Sequence, residues 1–92
     1  MFKIFYHEFV VRNDIPKLPR VWKKNVRRTI ELKLVIKPDV YGKPLRRSLK
    51  GYRKVRVGDY RVIFRIEGET VKILAIQHRS VVYSAAEKRI PG

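Results

Sequence analysis

The stretch Arg53-Lys54-Val55-Arg56-Val57-Gly58-Asp59-Tyr60-Arg61-Val62-Ile63-Phe64-Arg65 constrains this chain more than any other, because it reads as a β-hairpin. Apolar and basic residues alternate on both sides of Gly58-Asp59, and a two-residue turn there sets Val57 against Tyr60, Val55 against Val62 and Arg56 against Arg61. One face is therefore apolar. The other brings Arg56 opposite Arg61 with Lys54 beside them, and like charges directly opposite one another destabilise a sheet. That face is expected to hold something anionic; the alternative is a solvated basic surface with its long side chains splayed apart.

A second turn at Gly68-Glu69 extends the hairpin, giving strands at about Tyr52 to Val57, Tyr60 to Glu67 and Val71 to Gln77. Regular pairing sets Ile66 against Val71, Phe64 against Ile73 and Val62 against Ala75, an apolar layer for helices to cover. The opposite face then carries Arg61, Ile63, Arg65, Lys72, Leu74 and Ile76. Upstream, Phe2 to Tyr6 alternates as a first strand does. Phe9, Val10, Ile15 and Leu18 are spaced for a helix between Glu8 and Leu18 that Pro16 keeps short, and Trp22, Val26, Ile30 and Leu34 form one stripe of a longer helix. Arg20, Lys23, Lys24, Arg27 and Arg28 lie off that stripe. Pro38, Gly42 and Pro44 end the helix and open a loop from Tyr41 to Lys50. The expected architecture is an α+β domain over residues 1–92, ordered β-α-α-β-β-β, with two N-terminal helices packed on one face of a small, mainly antiparallel sheet.

Charge narrows the partners. Lys and Arg number 23 against 8 Asp and Glu, a formal net charge of +15, on a chain whose 45% hydrophobic content is too high for a disordered basic tail. Nucleic acid, an anionic membrane or an acidic protein fits such a field. The absence of cysteine excludes a disulfide scaffold and a thiolate zinc site. No run is apolar enough to span a bilayer and Met1 to Glu8 lacks signal-peptide character, so a cytosolic protein that does not bind membranes is expected. There is no phosphate-binding P-loop motif, no cluster of carboxylates and no His/Cys ligand set, and no cofactor or metal is expected. Acid-base chemistry falls to Lys, His and Tyr. Gln77-His78-Arg79-Ser80-Val81-Val82-Tyr83 supplies candidates where the last strand ends; strict alternation puts His78 on the cationic face and turns Arg79 to the core, so Arg79 reaches that face only if the strand bends first.

Four segments, Pro44-Leu45 through Leu49-Lys50-Gly51, Val57 to Phe64, His78-Arg79 with Tyr83, and Tyr83 to Ile90, resemble in order and spacing the RelE/ParE superfamily of type II toxin–antitoxin systems, and the RelE-like messenger-RNA endonucleases in particular. The resemblance implies a toxin that cleaves messenger RNA, on or off the ribosome, without metal: the ribose 2′-hydroxyl attacks the adjacent phosphate. It also implies an acidic antitoxin partner. By position it assigns Lys54, Arg56, Arg61, Arg79 and Tyr83 to catalysis, and Arg53, Arg65, Lys72 and His78 are expected to contact the RNA. Arginine forks suit phosphate but hold their protons too firmly to act as bases. Lys54, among cations that favour its neutral form, or His78 is the better base; Tyr83 donates a hydrogen bond or stacks on a base. Arg56 stands where RelE itself has lysine, and the Arg79 to Tyr83 spacing is two residues shorter. The alternatives are a ParE-like inhibitor of DNA gyrase and a non-catalytic RNA-binding module.

Overall fold

In the computed structural model, which describes residues 1–91, the two hairpins form the middle of a five-stranded sheet. Its strands are β1 (Lys3–Tyr6), β2 (Lys43–Pro44), β3 (Arg53–Val57), β4 (Tyr60–Glu67) and β5 (Thr70–His78), in the spatial order β1-β5-β4-β3-β2. β1 joins β5 in parallel and the other pairs are antiparallel. The first hairpin has the expected register, including Arg56 opposite Arg61. Gly58 has a φ of +59°, which a first turn position of this kind demands of glycine. It is also overlain by Trp22: a Cβ there would stand 2.1 Å from Cη2 of the indole.

Helix α1 runs over residues 8–17 with a π turn at Val10–Asp14, and α2 over residues 20–34 with a second π turn at Ile30–Leu34. The stripe of α2 does what its spacing predicts. Val26, Ile30 and Leu34 are buried with Val10 and Leu18 against Val55, Val57, Val62, Phe64, Val71, Ile73 and Ile76, and Trp22 packs at the margin. Phe9 departs from expectation. The π turn carries Val10, Asp14 and Leu18 inward at intervals of four and leaves Phe9 half exposed.

Four elements depart from the expected order. Pro38 starts a short helix, α3 (Pro38–Tyr41), as well as ending α2, because proline lacks only an N–H that the first helical position leaves unpaired anyway. The expected loop from Tyr41 to Lys50 contains β2 and a 3-10 turn at Arg47–Leu49. A further helix, α4 (Val82–Arg89), covers the sheet face opposite α1 and α2. Val82 and Ala86, one turn apart, are buried there with Leu49, Tyr52, Ile63, Leu74 and Ala75. The sheet is thus covered on both faces.

The second hairpin has the expected pairs Ile66–Val71 and Phe64–Ile73, but not Val62–Ala75. A register shift falls between Ile63 and Phe64: Phe64 faces Ile73, Ile63 faces Ala75, and Leu74 is left over as the extra residue of a bulge. Side chains alternate with period two, so one surplus residue exchanges the faces of everything after it. Ile76, expected opposite the helix layer, pairs with Val62 beneath α1 and α2, and Ala75 turns toward α4.

β1 is short, so beyond Ile73 the outer edge of β5 has no strand beside it. Asp14 takes that place. Its carboxylate accepts the Ile76 backbone N–H at 2.9 Å and the Gln77 amide at 2.8 Å. Arg89 of α4 reaches around the edge to donate two bonds to it, at 2.6 and 2.9 Å, and a third to the Leu74 carbonyl. Burial by itself raises the carboxyl pKa, but the hydrogen bonds from Arg89, Gln77, Ile76 and Asn13 outweigh it and hold Asp14 below the ordinary carboxylate range. Both partners are buried, so removing one strands the other. Asp14→Asn is expected to destabilise the fold by about 3 to 5 kcal/mol, measured by denaturant unfolding. Because the native pKa is depressed, the stabilisation from Asp14 is fully present above its unfolded value and is lost as pH falls through the native one; wild type should lose stability on acidification more steeply than the Asn variant.

Candidate functional site

At the end of the sheet where β3 turns into β4, a shallow concavity of about 380 Å³ is lined by Lys54, Arg61, His78, Arg79, Ser80 and Tyr83. Four elements build it: β3 supplies Lys54, β4 Arg61, the end of β5 and its exit loop His78 to Ser80, and α4 Tyr83. The Lys54 ammonium lies over the Tyr83 ring, 5.7 Å from its centroid. Tyr83 is held in turn by the core beneath α4.

Arg61 is 8% exposed, not on an open face as its strand position suggests. Its Nη1 donates to the Gly58 and Tyr60 carbonyls, both at 2.9 Å. Those turn carbonyls use both hydrogens of Nη1. Nε and Nη2 donate to no acceptor among the described residues, so the guanidinium is fixed by one nitrogen and presents the others in a set orientation.

Arg79 joins the concavity because of the bulge. With the alternation reversed after Leu74, Tyr60 faces His78 on the α1–α2 side of the sheet, and the residue after His78 returns to the α4 side. The Arg79 N–H bonds the Asp59 carbonyl at 2.8 Å, and its side chain, 63% exposed, has Nε 3.9 Å from the Asp59 carboxylate. His78, expected on the cationic face, instead sits at the rim with its ring edge-on to Tyr60 at 5.7 Å. Its Nδ1 accepts the Ser80 backbone N–H at 3.1 Å and lies 2.8 Å from the Ser80 hydroxyl. A backbone N–H only donates, so Nδ1 carries no proton and the neutral ring carries it on Nε2. Held this way, His78 offers a donor and not a base.

The remaining expected residues are dispersed. Arg56 is exposed on the same face, opposite Arg61, but outside the concavity. Arg53 lies on the other face, where register pairs it with Phe64; its Nη1 donates to the Gly42 carbonyl at 2.9 Å and to that of Asp39 at 3.2 Å. Arg65 and Lys72 both pair with Glu67, Lys72 at 3.1 Å, and line a separate groove. The Lys72 ammonium first, then Arg65, holds the Glu67 carboxyl below the ordinary range. Register sets Arg65 directly opposite Lys72, four residues along β4 from Arg61, and the two cations share Glu67 apart from the concavity. Sequence reasoning missed Ser80, which orients His78, and Asp14 with Arg89, which tie α4 to the sheet edge; the interval of four from Val10 through Asp14 to Leu18 was the available sign of Asp14.

The fold has counterparts among known proteins. The family model described as the ParE toxin of the type II toxin–antitoxin system parDE matches residues 6–83. Toxin RelE of Mycobacterium tuberculosis is 34% identical over 83 residues, 85% of this chain and 86% of that one. Toxin RelG of the same organism is 50% identical over 44 residues, which span 46% of this chain and about half, 51%, of RelG. The toxin–antitoxin complex RelBE2, also from M. tuberculosis, contains a chain that superposes with a TM-score of 0.78 at 35% identity, covering 85% of this chain and 98% of that one.

An oxyanion that bridges Arg61, Arg79 and Lys54 relieves their mutual repulsion and binds the native state alone. Inorganic phosphate is therefore expected to raise the melting temperature above that in chloride of equal ionic strength. Equal melting temperatures would remove the anion site.

Proposed function

The chain belongs to the RelE/ParE superfamily of type II toxin–antitoxin toxins, and from that premise we propose that it is a cytoplasmic endoribonuclease that cleaves messenger RNA and is neutralised by an acidic antitoxin. The observation that carries this reading is the convergence of Lys54, Arg61, Arg79 and Tyr83 on one concavity from four separate elements. A gyrase inhibitor or a passive RNA clamp has no use for a tyrosine and an amine in contact with each other beside two guanidinium groups.

In the proposed reaction the ribose 2′-oxygen bonds to the adjacent phosphorus while the bond from phosphorus to the 5′-oxygen breaks. Lys54 is assigned the base that takes the 2′-hydroxyl proton. Arg61 and Arg79 stabilise the charge that gathers on the non-bridging oxygens, Arg61 from a guanidinium already oriented by the turn carbonyls. The Tyr83 hydroxyl supplies a proton to the leaving 5′-oxygen, and Nε2–H of His78 donates to the phosphate. The products are a 2′,3′-cyclic phosphate and a 5′-hydroxyl. Arg56 adds field on the approach side without touching the reacting atoms.

Mapping RNA ends after induced expression tests the reaction class. A 2′,3′-cyclic phosphate and its 3′-phosphate hydrolysis product support cleavage; DNA double-strand breaks that depend on gyrase indicate ParE-like action, and intact RNA retained on the protein indicates binding only. Among single variants, Arg79→Ala is the cleanest, because its side chain is mostly exposed and its one ion pair is long. It is expected to keep the wild-type melting temperature and lose about 10²-fold or more in single-turnover rate. Tyr83→Phe should slow cleavage while preserving RNA affinity. Arg61→Ala should both melt lower and cleave more slowly, since the turn carbonyls lose their donor. Cleavage at the wild-type rate by Arg79→Ala and Tyr83→Phe would overturn the assignment.

A further inference from the structure

Behind His78, on the α1 side of the sheet, lies a second recess of about 290 Å³ to which Asn13, Lys17, Tyr60, Gln77 and Val81 contribute. His78 lines both this recess and the cationic concavity, so a chain whose phosphate occupies one has the other within a nucleotide's reach. We propose that this recess is a base-binding subsite for a nucleobase with an exocyclic amino group, adenine, cytosine or guanine, and that it disfavours uracil. It rests on the nuclease reading in that RNA is taken as the ligand.

The selectivity follows from the orientation of two amides. Asp14 is an ionised carboxylate and only accepts hydrogen bonds. Asn13 therefore turns its NH₂ toward Asp14, at 3.0 Å, and Gln77 does the same, at 2.8 Å. Bidentate Arg89 and the other donors hold that carboxyl ionised at neutral pH, against the opposing effect of burial. An amide whose nitrogen is engaged in this way has its carbonyl oxygen to offer a ligand. Neither oxygen accepts a hydrogen bond among the described residues. No buried side-chain polar atom among the described residues lacks a partner, so both oxygens are reached by solvent, and both residues line the recess.

Two neighbouring acceptors call for donors on the base. An exocyclic NH₂ supplies them; uracil presents carbonyl oxygens on either side of one N–H, which set acceptor against acceptor. The Tyr60 and His78 rings and Val81 supply apolar and aromatic surface for the base, and Lys17 a cation for the following phosphate. The ion pair of Asp14 with Arg89, which anchors α4, thus also sets the hydrogen-bonding polarity of the recess.

Cytidine and uridine monophosphate form the decisive pair, since they share a phosphate and differ on the ring chiefly in the amino or carbonyl group at C4. Titration of the isotopically labelled wild-type protein, followed by NMR, is expected to shift the side-chain amides of Asn13 and Gln77 with the cytidine nucleotide. That nucleotide should bind about tenfold more tightly than its uridine counterpart. Asn13→Ala should narrow the difference by weakening cytidine and not uridine binding. Equal affinities, or shifts confined to Lys54, Arg61 and Arg79, would overturn the subsite even if RNA is cleaved. Discrimination in a protein that leaves RNA intact would support the subsite while the nuclease reading fails.

Discussion

Leu74 has no partner in β4, and that surplus residue turns over every side chain that follows it in β5. Ahead of the bulge, β5 contributes Val71 and Ile73 to the layer beneath α1 and α2. After it, Ala75 joins the layer beneath α4, Ile76 returns to the first, and the strand leaves the sheet with His78 on one side and Arg79 on the other. Without the bulge, Arg79 points into the core and the concavity lacks a wall. Both candidate binding regions depend on this: His78 can stand between them only because the strand ends in that phase.

The distribution of carboxylates shapes the site by subtraction. The net charge of +15 leaves few acids, and several are engaged away from the concavity: Asp14 with Arg89, Glu67 with Arg65 and Lys72, Glu87 with Ser48. Asp59 is the acid nearest to it, at 3.9 Å from Arg79. Lys54, Arg56 and Arg61 take part in no ion pair among the described residues. Their repulsion is partly offset by local means, the Tyr83 ring beneath Lys54 and the turn carbonyls around Arg61. A cluster so arranged is stabilised by whatever anion occupies it, which couples folding stability to ligand binding.

Asp14 has a different part. It closes the exposed edge of β5, accepts from α4 through Arg89, and faces the two amides of the second recess. An ion pair in this position is weak ground for net stability, because desolvation offsets much of the attraction. Its consequence is specificity of arrangement: α4, which carries Tyr83, is held over the sheet at the end opposite that tyrosine.

Period-two alternation and the glycine turns made the hairpins legible, down to the pairing of Arg56 with Arg61, because strand pairing beside a two-residue turn is a local matter. The α2 stripe was legible for the same reason, and so were Lys54 and Arg61 as neighbours. Tertiary structure decided the rest. Alternation carries no sign of a bulge, so the placements of Ile76, His78 and Arg79 came out inverted. Charge alone does not say which cations meet a carboxylate: Arg65 and Lys72, expected to contact the RNA, share Glu67 in a separate groove. α4 and the link between Asp14 and Arg89 join residues 75 positions apart in the chain, and no local pattern encodes a contact that exists only once β5 has an open edge to be covered.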